Sequence, residues 1–408
     1  MTAVTTQSAR IAFTVAERLL DPAAVAAAVP GPGAASLARG LAGTALLHAR
    51  LSATDRVFAA AAGDHWAKAA ACARPTGYEG PGIYRNPGGL AASLIIGTAY
   101  LPDPRSRRPA VERAARWMSA RAVDLADQHR DYLAAGGTST PRHVYDVITG
   151  LAGIGRVLLA AVRAGHDAEP GLQAALSTLT TMAQTRHGPF PGWWSSTTPT
   201  EAPCAATGMA HGIAGPLTLL SQASAAGYTV GGQAEAIREA SDWLLRWHIP
   251  DTRDWPPYVT EAELTTGVAA PVPGRRDAWC YGTPGIRRAL TFAAQATADP
   301  TLGEAADSAL NTLTTRPPSR WDVDGPALCH GYAGVLQATH SDQAAAAVTA
   351  LFDDRDRFGF PHAAKRSETN EDPGFLTGAV GAALALADHA AIPGPHVADP
   401  WDALLLLS

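Results

Sequence analysis

Apolar residues follow two patterns along this chain. In the first pattern they recur at every third or fourth position, which is typical of an amphipathic helix with one buried face. Residues 233–248 show it most clearly, since one face carries Ala236, Ile237, Ala240, Trp243, Leu244 and Trp247. Residues 110–135 and 343–356 are similar. In the second pattern, short stretches such as 44–47 and 156–161 are mostly apolar. The sequence therefore predicts amphipathic outer helices that cover apolar inner helices.

Each apolar stretch follows a Gly-x-x-Gly step. Complete steps begin at Gly40, Gly150, Gly212, Gly282, Gly331 and Gly378, and a degenerate copy at Gly89 has Ala92 in place of the second glycine. Successive copies are about 47 to 70 residues apart, which indicates an array of one supersecondary unit. We predict an all-α fold of seven helical hairpins, stacked either as an open solenoid or as a closed ring.

Chemically reactive side chains recur at fixed positions ahead of the first glycine of a step. Cys280 and Cys329 are two residues before it, and His211, Tyr281 and His330 are one residue before it. Asp146 is four residues before a first glycine, and Arg276 is six. In a closed ring all of these positions meet at one end of the inner helices. This convergence favours the ring.

Cys280, Cys329 and His330 together provide two thiols and one imidazole. Three protein ligands with an open fourth position are typical of a catalytic zinc ion. The pair Cys329–His330 alone also fits a buried thiol beside a core histidine, but a second thiol at the same register favours a metal site. Cys72 and Cys204 lack this register, so we expect them to be small buried hydrophobic residues.

Two further positions leave alternatives open. His211 could be a fourth metal ligand, which would close the site, or an acid–base group near the metal, which we favour because imidazole exchanges protons near neutral pH. Asp146 could orient His211 or contact a substrate. It could equally cap the helix that follows it, where a carboxylate is favoured.

Composition narrows the classes of function. Hydrophobic residues make up 47% of the 408 positions and charged residues 17%, which fits a helical protein with much buried surface. The net charge of −5 does not favour nucleic-acid binding. Four cysteines do not suggest a disulfide framework, which favours a reducing cytoplasm. We find no signal peptide and no membrane-spanning stretch in the sequence.

We predict a single domain over residues 1–408, because the repeat runs through a chain whose length alone would suggest two or three domains. Loop insertions are expected near 187–203 and 249–276, where prolines and aromatic residues concentrate. The aromatic residues are Phe190, Trp193, Trp194, Trp255 and Tyr258. These loops either form a peptide-binding surface at the mouth of the barrel or simply pack against it.

Three motifs resemble those of lanthionine synthetase C-like proteins, whose bacterial members are lantibiotic cyclases. They are Trp-Cys-Tyr-Gly at 279–282, Cys-His-Gly at 329–331 and Ala-His-Gly-Ile-x-Gly at 210–215. The resemblance extends through all seven repeats. It implies an α/α toroid of seven inner and seven outer helices.

The resemblance also implies a reaction and a site. One zinc ion per chain would be held by Cys280, Cys329 and His330, and His211, Asp146, Arg276 and Tyr281 match the family's catalytic residues. The reaction is Michael addition of a peptide cysteine thiol to dehydroalanine or dehydrobutyrine, which gives a (methyl)lanthionine thioether ring. The expected partners are a dehydrated precursor peptide with its leader, a lanthipeptide dehydratase and an exporter. The last two would account for any membrane association of a cytoplasmic protein.

Two alternatives remain at this stage. Some relatives add glutathione to dehydrated residues, and a non-catalytic scaffold could bind the peptide beside a closed structural zinc. A toroidal glycoside hydrolase is disfavoured, because Asp146 has no carboxylate partner at matching register.

Overall fold

The fold was analysed in a computed structural model, which describes residues 3–73, 82–196, 202–252, 254–269, 277–361 and 372–408. In chain order its α-helices are α1 (Ala3–Arg18), α2 (Pro22–Ala28), α3 (Leu41–Leu51), α4 (Arg56–Cys72), α5 (Gly88–Gly97), α6 (Arg108–Ala134), α7 (Arg142–Tyr145), α8 (Leu151–Arg163), α9 (Glu169–Gln184), α10 (Ala214–Ala225), α11 (Gln233–Arg246), α12 (Glu261–Thr266), α13 (Thr283–Thr297), α14 (Pro300–Thr315), α15 (Tyr332–Thr339), α16 (Asp342–Ala350) and α17 (Ala379–His389). Two short antiparallel pairs join β1 (Arg186–His187) to β2 (Phe190–Pro191) and β3 (Ala205–Ala206) to β4 (Tyr258–Val259).

The apolar helices form a closed inner ring. Around it, each helix contacts the next in the order α3, α5, α8, α10, α13, α15 and α17, and α17 contacts α3 again. The amphipathic helices α4, α6, α9, α11, α14 and α16 each pack outside the inner helix that precedes them in sequence. The predicted α/α toroid is therefore confirmed, and the open solenoid is wrong.

The seventh hairpin is assembled from both ends of the described chain. The outer partner of α17 is α1, which packs against it through a face that includes Ile11 and Val15. The hydroxyl of Ser8 lies 3.1 Å from Nδ1 of His389 across this contact. In the other six hairpins the outer helix follows its inner helix in sequence. In the seventh, the outer helix α1 precedes the first copy of the repeat.

A ladder of backbone hydrogen bonds joins the seven loops that precede the inner helices. Among the described residues, six of these loops donate an amide hydrogen to the carbonyl of the next, with N···O distances of 2.9 to 3.2 Å. The bonds run from Val147 to Ala210, Cys280, Cys329, Leu376, Ala38 and finally Tyr84. The ladder holds loops that are distant in sequence at the same level along the barrel axis. Side chains at corresponding positions of these loops therefore lie close together.

The second glycine of each complete step is required by close packing within its own turn. A Cβ atom at Gly285, Gly334 or Gly381 would lie 2.1 to 2.3 Å from the carbonyl oxygen of the residue six positions earlier. The degenerate copy differs in register, because α5 begins at Gly88 with Pro87 as its N-cap. Gly89 lies five residues after the ladder residue Tyr84, just as Gly285 and Gly334 lie five residues after Cys280 and Cys329. Gly89 therefore takes the position of the second glycine, and the sequence alignment of this copy is wrong by three residues.

Alanine substitutions at two glycines should have opposite effects on stability. Gly334→Ala should lower the free energy of unfolding by about 3 kcal/mol, because its Cβ would lie 2.1 Å from the Leu328 carbonyl oxygen. Gly303→Ala in α14 is the matched control, since its Cβ would meet nothing closer than 4.0 Å and alanine favours a helix by about 0.5–1 kcal/mol. Denaturant unfolding of both variants tests this difference, and equal effects would contradict it.

Residues 401–408 enter the ring from the C-terminal ends of the inner helices. Leu404, Leu405 and Leu406 are fully buried there. Three carbonyls of this segment accept hydrogen bonds from residues in different repeats: Leu404 from the Tyr84 hydroxyl, Leu405 from the Trp279 indole, and Ser408 from Arg156 and Gln222. The segment fills the axis of the barrel below the loops, so the side chains of interest lie above a solid core.

Other sequence predictions need adjustment. The outer helix α16 ends at Ala350, and Asp353 and Asp356 cap turns instead of extending it. Cys72 and Cys204 are half-buried, not buried, and none of the four cysteines, all of which the structure describes, forms a disulfide. Within the described ranges, no helix has the length and apolar character needed to cross a membrane.

Two buried histidines lie between α3 and α4. His48 is fully buried, and its Nε2 donates to the carbonyl of Leu19 at 3.0 Å. The ring of His65 packs edge-on against it, with 4.9 Å between centroids. Burial, and then the nearby His65, lowers the pKa of His48 to about 3. Both imidazoles are therefore neutral in the folded protein.

Because these two histidines are neutral when buried, we expect the folded protein to lose stability in mild acid. Because His48 titrates near 6.5 when unfolded and near 3 when folded, its contribution is complete above pH 6.5 and falls as the pH drops toward 3. The slope is at most about 1.4 kcal/mol per pH unit, or about 2 kcal/mol by pH 5. His48→Gln keeps a donor for Leu19 and should reduce the difference in Tm between pH 7 and pH 5. The exposed His396→Gln should leave that difference unchanged, and an unchanged difference in His48→Gln would contradict the assignment.

Candidate functional site

Two thiols and an imidazole meet at the end of the barrel where the inner helices begin. Side-chain ligand atoms of Cys280, Cys329 and His330 all lie within 4.8 Å of one another. The ladder brings the two loops together, since the amide of Cys280 donates to the carbonyl of Cys329 at 3.2 Å. Cys280 is buried, whereas Cys329 and His330 are partly exposed. The cluster is therefore buried at Cys280 and accessible to solvent at Cys329 and His330.

The electrostatics of the cluster favour a thiolate. Hydrogen bonding from Cys329, and then from His330, holds the pKa of the Cys280 thiol well below its ordinary value, although burial opposes this shift. The positive charge of nearby His211 acts in the same direction. Since thiolates and neutral imidazoles are the ligands that zinc prefers, the donor set fits a zinc ion with three protein ligands.

His211 pairs with Asp146 instead of joining the ligand cluster. Its Nδ1 lies 2.7 Å from Oδ2 of Asp146, which is almost fully buried. Because an ionised carboxylate only accepts hydrogen bonds, Nδ1 carries the proton and Nε2 is the nitrogen that exchanges protons with other groups. The side chain of His211 is 32% exposed, so a substrate can reach it.

Asp146 stabilises a turn and pairs with His211, but it is not the N-cap of α8, which is Gly150. Its Oδ1 accepts hydrogen bonds from the backbone amides of Thr149 and Gly150 at 2.7 and 2.9 Å, and from the Thr149 hydroxyl. These bonds secure the turn that leads into α8. The other oxygen remains available for His211. The same carboxylate therefore ties the orientation of His211 to the start of an inner helix.

Three tyrosines surround the histidine. The Tyr145 hydroxyl donates to the backbone carbonyl of His211 at 3.1 Å. The ring of Tyr281 lies 6.2 Å from the His211 ring and 5.3 Å from that of Tyr258, which belongs to β4. Burial, and then Tyr258, raises the pKa of Tyr281 far above its ordinary value. Tyr281 is therefore a neutral hydroxyl that can donate a hydrogen bond.

The two aromatic loops separate into packing residues and site residues. Trp193 and Trp255 are buried, Trp193 against Trp243 and Trp255 through a hydrogen bond from its indole to the Leu244 carbonyl. The rings of Phe190 and Trp194 contact each other at the partly exposed surface, with centroids 4.8 Å apart and planes tilted by 36°. For the two buried indoles, plain loop packing is the correct interpretation.

The structure places most, but not all, of the residues singled out in the sequence. Cys280, Cys329 and His330 come together, and Asp146, His211 and Tyr281 lie beside them. Arg276 lies outside the described residues. Sequence reasoning missed Arg142, which begins α7 and interacts electrostatically with Tyr145, Tyr281 and Tyr258. Its spacing of one helical turn before Asp146 was the available signal.

Fold and site together define an α/α-toroid protein with a Cys-Cys-His cluster at the mouth of its barrel. Comparison with known families agrees with this class. The model of the family "Lanthionine synthetase C-like protein" matches residues 31–392, which is most of the chain. The chain belongs to the lanthionine synthetase C-like family.

Two known proteins are similar to this chain. The nisin biosynthesis protein NisC of Lactococcus lactis subsp. lactis is 26% identical over 137 residues, which are 33% of this chain and 32% of that protein. The aligned segment thus spans about a third of that relative. The structure of nisin cyclase matches with a TM-score of 0.73 over 93% of this chain and 94% of that one, at 19% identity. That likeness supports the toroid fold.

Proposed function

We propose that this protein is a zinc-dependent lanthipeptide cyclase that forms (methyl)lanthionine rings from peptide cysteines and dehydroamino acids. The observation that carries the proposal is the Cys280–Cys329–His330 cluster beside the His211–Asp146 pair, at one end of a toroid of this family. The names of the two similar proteins, a nisin biosynthesis protein and a nisin cyclase, are consistent with this proposal.

The three ligands would hold one zinc ion per chain. Bound there, zinc would lower the pKa of a thiol placed at its open fourth position, so that the substrate cysteine is a thiolate at neutral pH. His211 is engaged by Asp146 and is not part of the ligand cluster among the described residues, which leaves that position open.

His211 supplies the proton that completes the addition. When a thiolate adds to the β-carbon of a dehydroamino acid, negative charge moves to the carbonyl oxygen and the α-carbon must be protonated. His211 is accessible, and its hydrogen bond with Asp146 fixes the orientation of the ring. Tyr281 donates a hydrogen bond toward the developing oxyanion. Arg276, which matches a catalytic position of the family, is proposed for the same charge.

The substrate in this proposal is a dehydrated precursor peptide with its leader. The partly exposed His211 and Tyr281 face the mouth of the barrel, where an extended peptide can enter. A dehydratase and an exporter are the proposed partners. Cytoplasmic location, with membrane association only through those partners, remains a prediction, as does a single domain over residues 1–408.

A peptide assay separates this function from its two alternatives. The purified protein is incubated with a peptide that carries one dehydroalanine and one cysteine, with and without glutathione, and the products are alkylated and weighed. Ring closure leaves the peptide mass unchanged but removes the site of alkylation. Addition of glutathione increases the mass by one glutathione and leaves the peptide cysteine free.

The expected result is loss of the alkylation site at equal mass, whether or not glutathione is present. Glutathione adducts on a peptide that keeps its free thiol would replace the proposal with intermolecular addition. Tight binding of the peptide without any change in thiol content, by a protein that contains zinc, would replace it with the scaffold function.

A further inference from the structure

The short helix α7 presents a second charged residue to the site. Arg142 and Asp146 are one turn apart, and the amide of Asp146 donates to the carbonyl of Arg142 at 3.0 Å. Residues at this spacing lie on the same face of a helical turn. Since Asp146 faces His211, Arg142 lies on the side of α7 that faces the site.

Two buried nitrogen donors of the Arg142 guanidinium donate no hydrogen bond within the described part of the chain. Its Nε and Nη2 atoms are shielded from solvent and have no hydrogen-bond partner among the described residues. These two nitrogens form one edge of the guanidinium, the fork that binds two oxygen lone pairs at once. Buried donors without partners are rare, because each forfeits its hydration without a replacement. A substrate oxygen would satisfy them.

The neighbours of Arg142 place it in the wall of the site. Arg142 interacts electrostatically with Tyr145, Tyr281 and Tyr258. Tyr145 donates a hydrogen bond to the backbone carbonyl of His211, and the ring of Tyr281 lies 6.2 Å from the His211 ring. The guanidinium therefore lies near the residues that contact His211. No carboxylate ion pair neutralises it within the described residues.

We propose that Arg142 is a catalytic residue whose Nε–Nη2 fork binds the carbonyl oxygen of the dehydroamino acid as that oxygen becomes an enolate. This inference rests on the proposed cyclase function. In the step, the thiol sulfur bonds to the β-carbon, and the electron pair of the carbon–carbon double bond moves to the carbonyl oxygen. A proton then returns to the α-carbon. The sum is addition of S–H across the double bond, with no oxidant or reductant.

The test compares Arg142→Gln, Arg142→Lys and His143→Gln with the wild type. His143 is an exposed neighbour on the same turn and serves as the matched control. Zinc content and Tm are measured first, to establish that each variant is folded and loaded. The kcat and KM for ring closure are then determined, together with the Kd for the same peptide carrying serine in place of dehydroalanine.

Arg142→Gln should lower kcat by about 10²- to 10³-fold, the usual effect of losing one oxyanion donor. Zinc content and the Kd of the serine peptide should not change. Arg142→Lys should lie between Gln and the wild type, because it keeps the charge but loses the fork. His143→Gln should match the wild type.

An unchanged kcat in folded Arg142→Gln would overturn the assignment and leave the cyclase function intact. A loss confined to KM and to the Kd of the serine peptide would overturn it too, since Arg142 would then bind the ground state only. A zinc-loaded wild type that closes no ring would overturn the proposed function, and the role of Arg142 with it.

Discussion

Replacing Cys329 with alanine is expected to remove the bound zinc and to reduce ring closure to the uncatalysed rate. The variant deletes one of three ligands that lie within 4.8 Å of one another. It also removes the hydrogen bond that contributes most to the low pKa of Cys280, so the remaining thiol is a poorer ligand as well. Elemental mass spectrometry of the purified protein measures zinc, and the alkylation assay measures rings.

Cys72→Ala is the matched control for this experiment. Cys72 is a half-buried free thiol at the end of α4, outside the ligand cluster. We expect this variant to keep one zinc ion per chain and the wild-type rate. A Cys329→Ala variant that is folded, free of zinc and still closes rings would contradict thiol activation by the metal.

Replacing His211 with asparagine is expected to leave zinc bound but to slow ring closure by about 10²- to 10⁴-fold, the usual range for loss of a general acid or base. The ligand cluster does not include His211, so metal content should stay near one per chain.

Asp146→Asn tests the other member of the His211–Asp146 pair. Asparagine keeps an acceptor oxygen, so the bonds from Thr149 and Gly150 can persist while the negative charge facing Nδ1 is lost. This variant should therefore fold normally and show a reduced kcat. Loss of zinc in His211→Asn would instead make His211 a fourth ligand, and the open coordination position would then have to be abandoned.

Most of the site can be predicted from the sequence, because its residues occupy corresponding positions relative to the first glycine of each repeat. Cys280 and Cys329 are 49 positions apart, yet both precede a first glycine by two residues, and the backbone ladder turns that shared register into contact. The same reasoning placed His211 near the cluster. For Asp146 the sequence left several roles open, and the structure was needed to show that its two oxygens bond to a turn and to an imidazole at once.

Features that depend on contacts outside a single repeat were less predictable. The pairing of α1 with α17 joins the two ends of the repeat array, and no local pattern indicates it. The burial of Trp193 follows from its contact with Trp243, which lies on a different element. Arg142 belongs to no repeat position, and the role proposed for it depends on two nitrogens that have no hydrogen-bond partner among the described residues.

Ring closure by the protein stripped of metal and then titrated with zinc shows directly whether the reaction depends on the metal. We expect no loss of peptide thiol in the stripped protein and full activity at one zinc ion per chain, with Cys329→Ala unresponsive. Ring closure at an undiminished rate in metal-free wild type, or full activity restored to Cys329→Ala by zinc, would contradict this expectation.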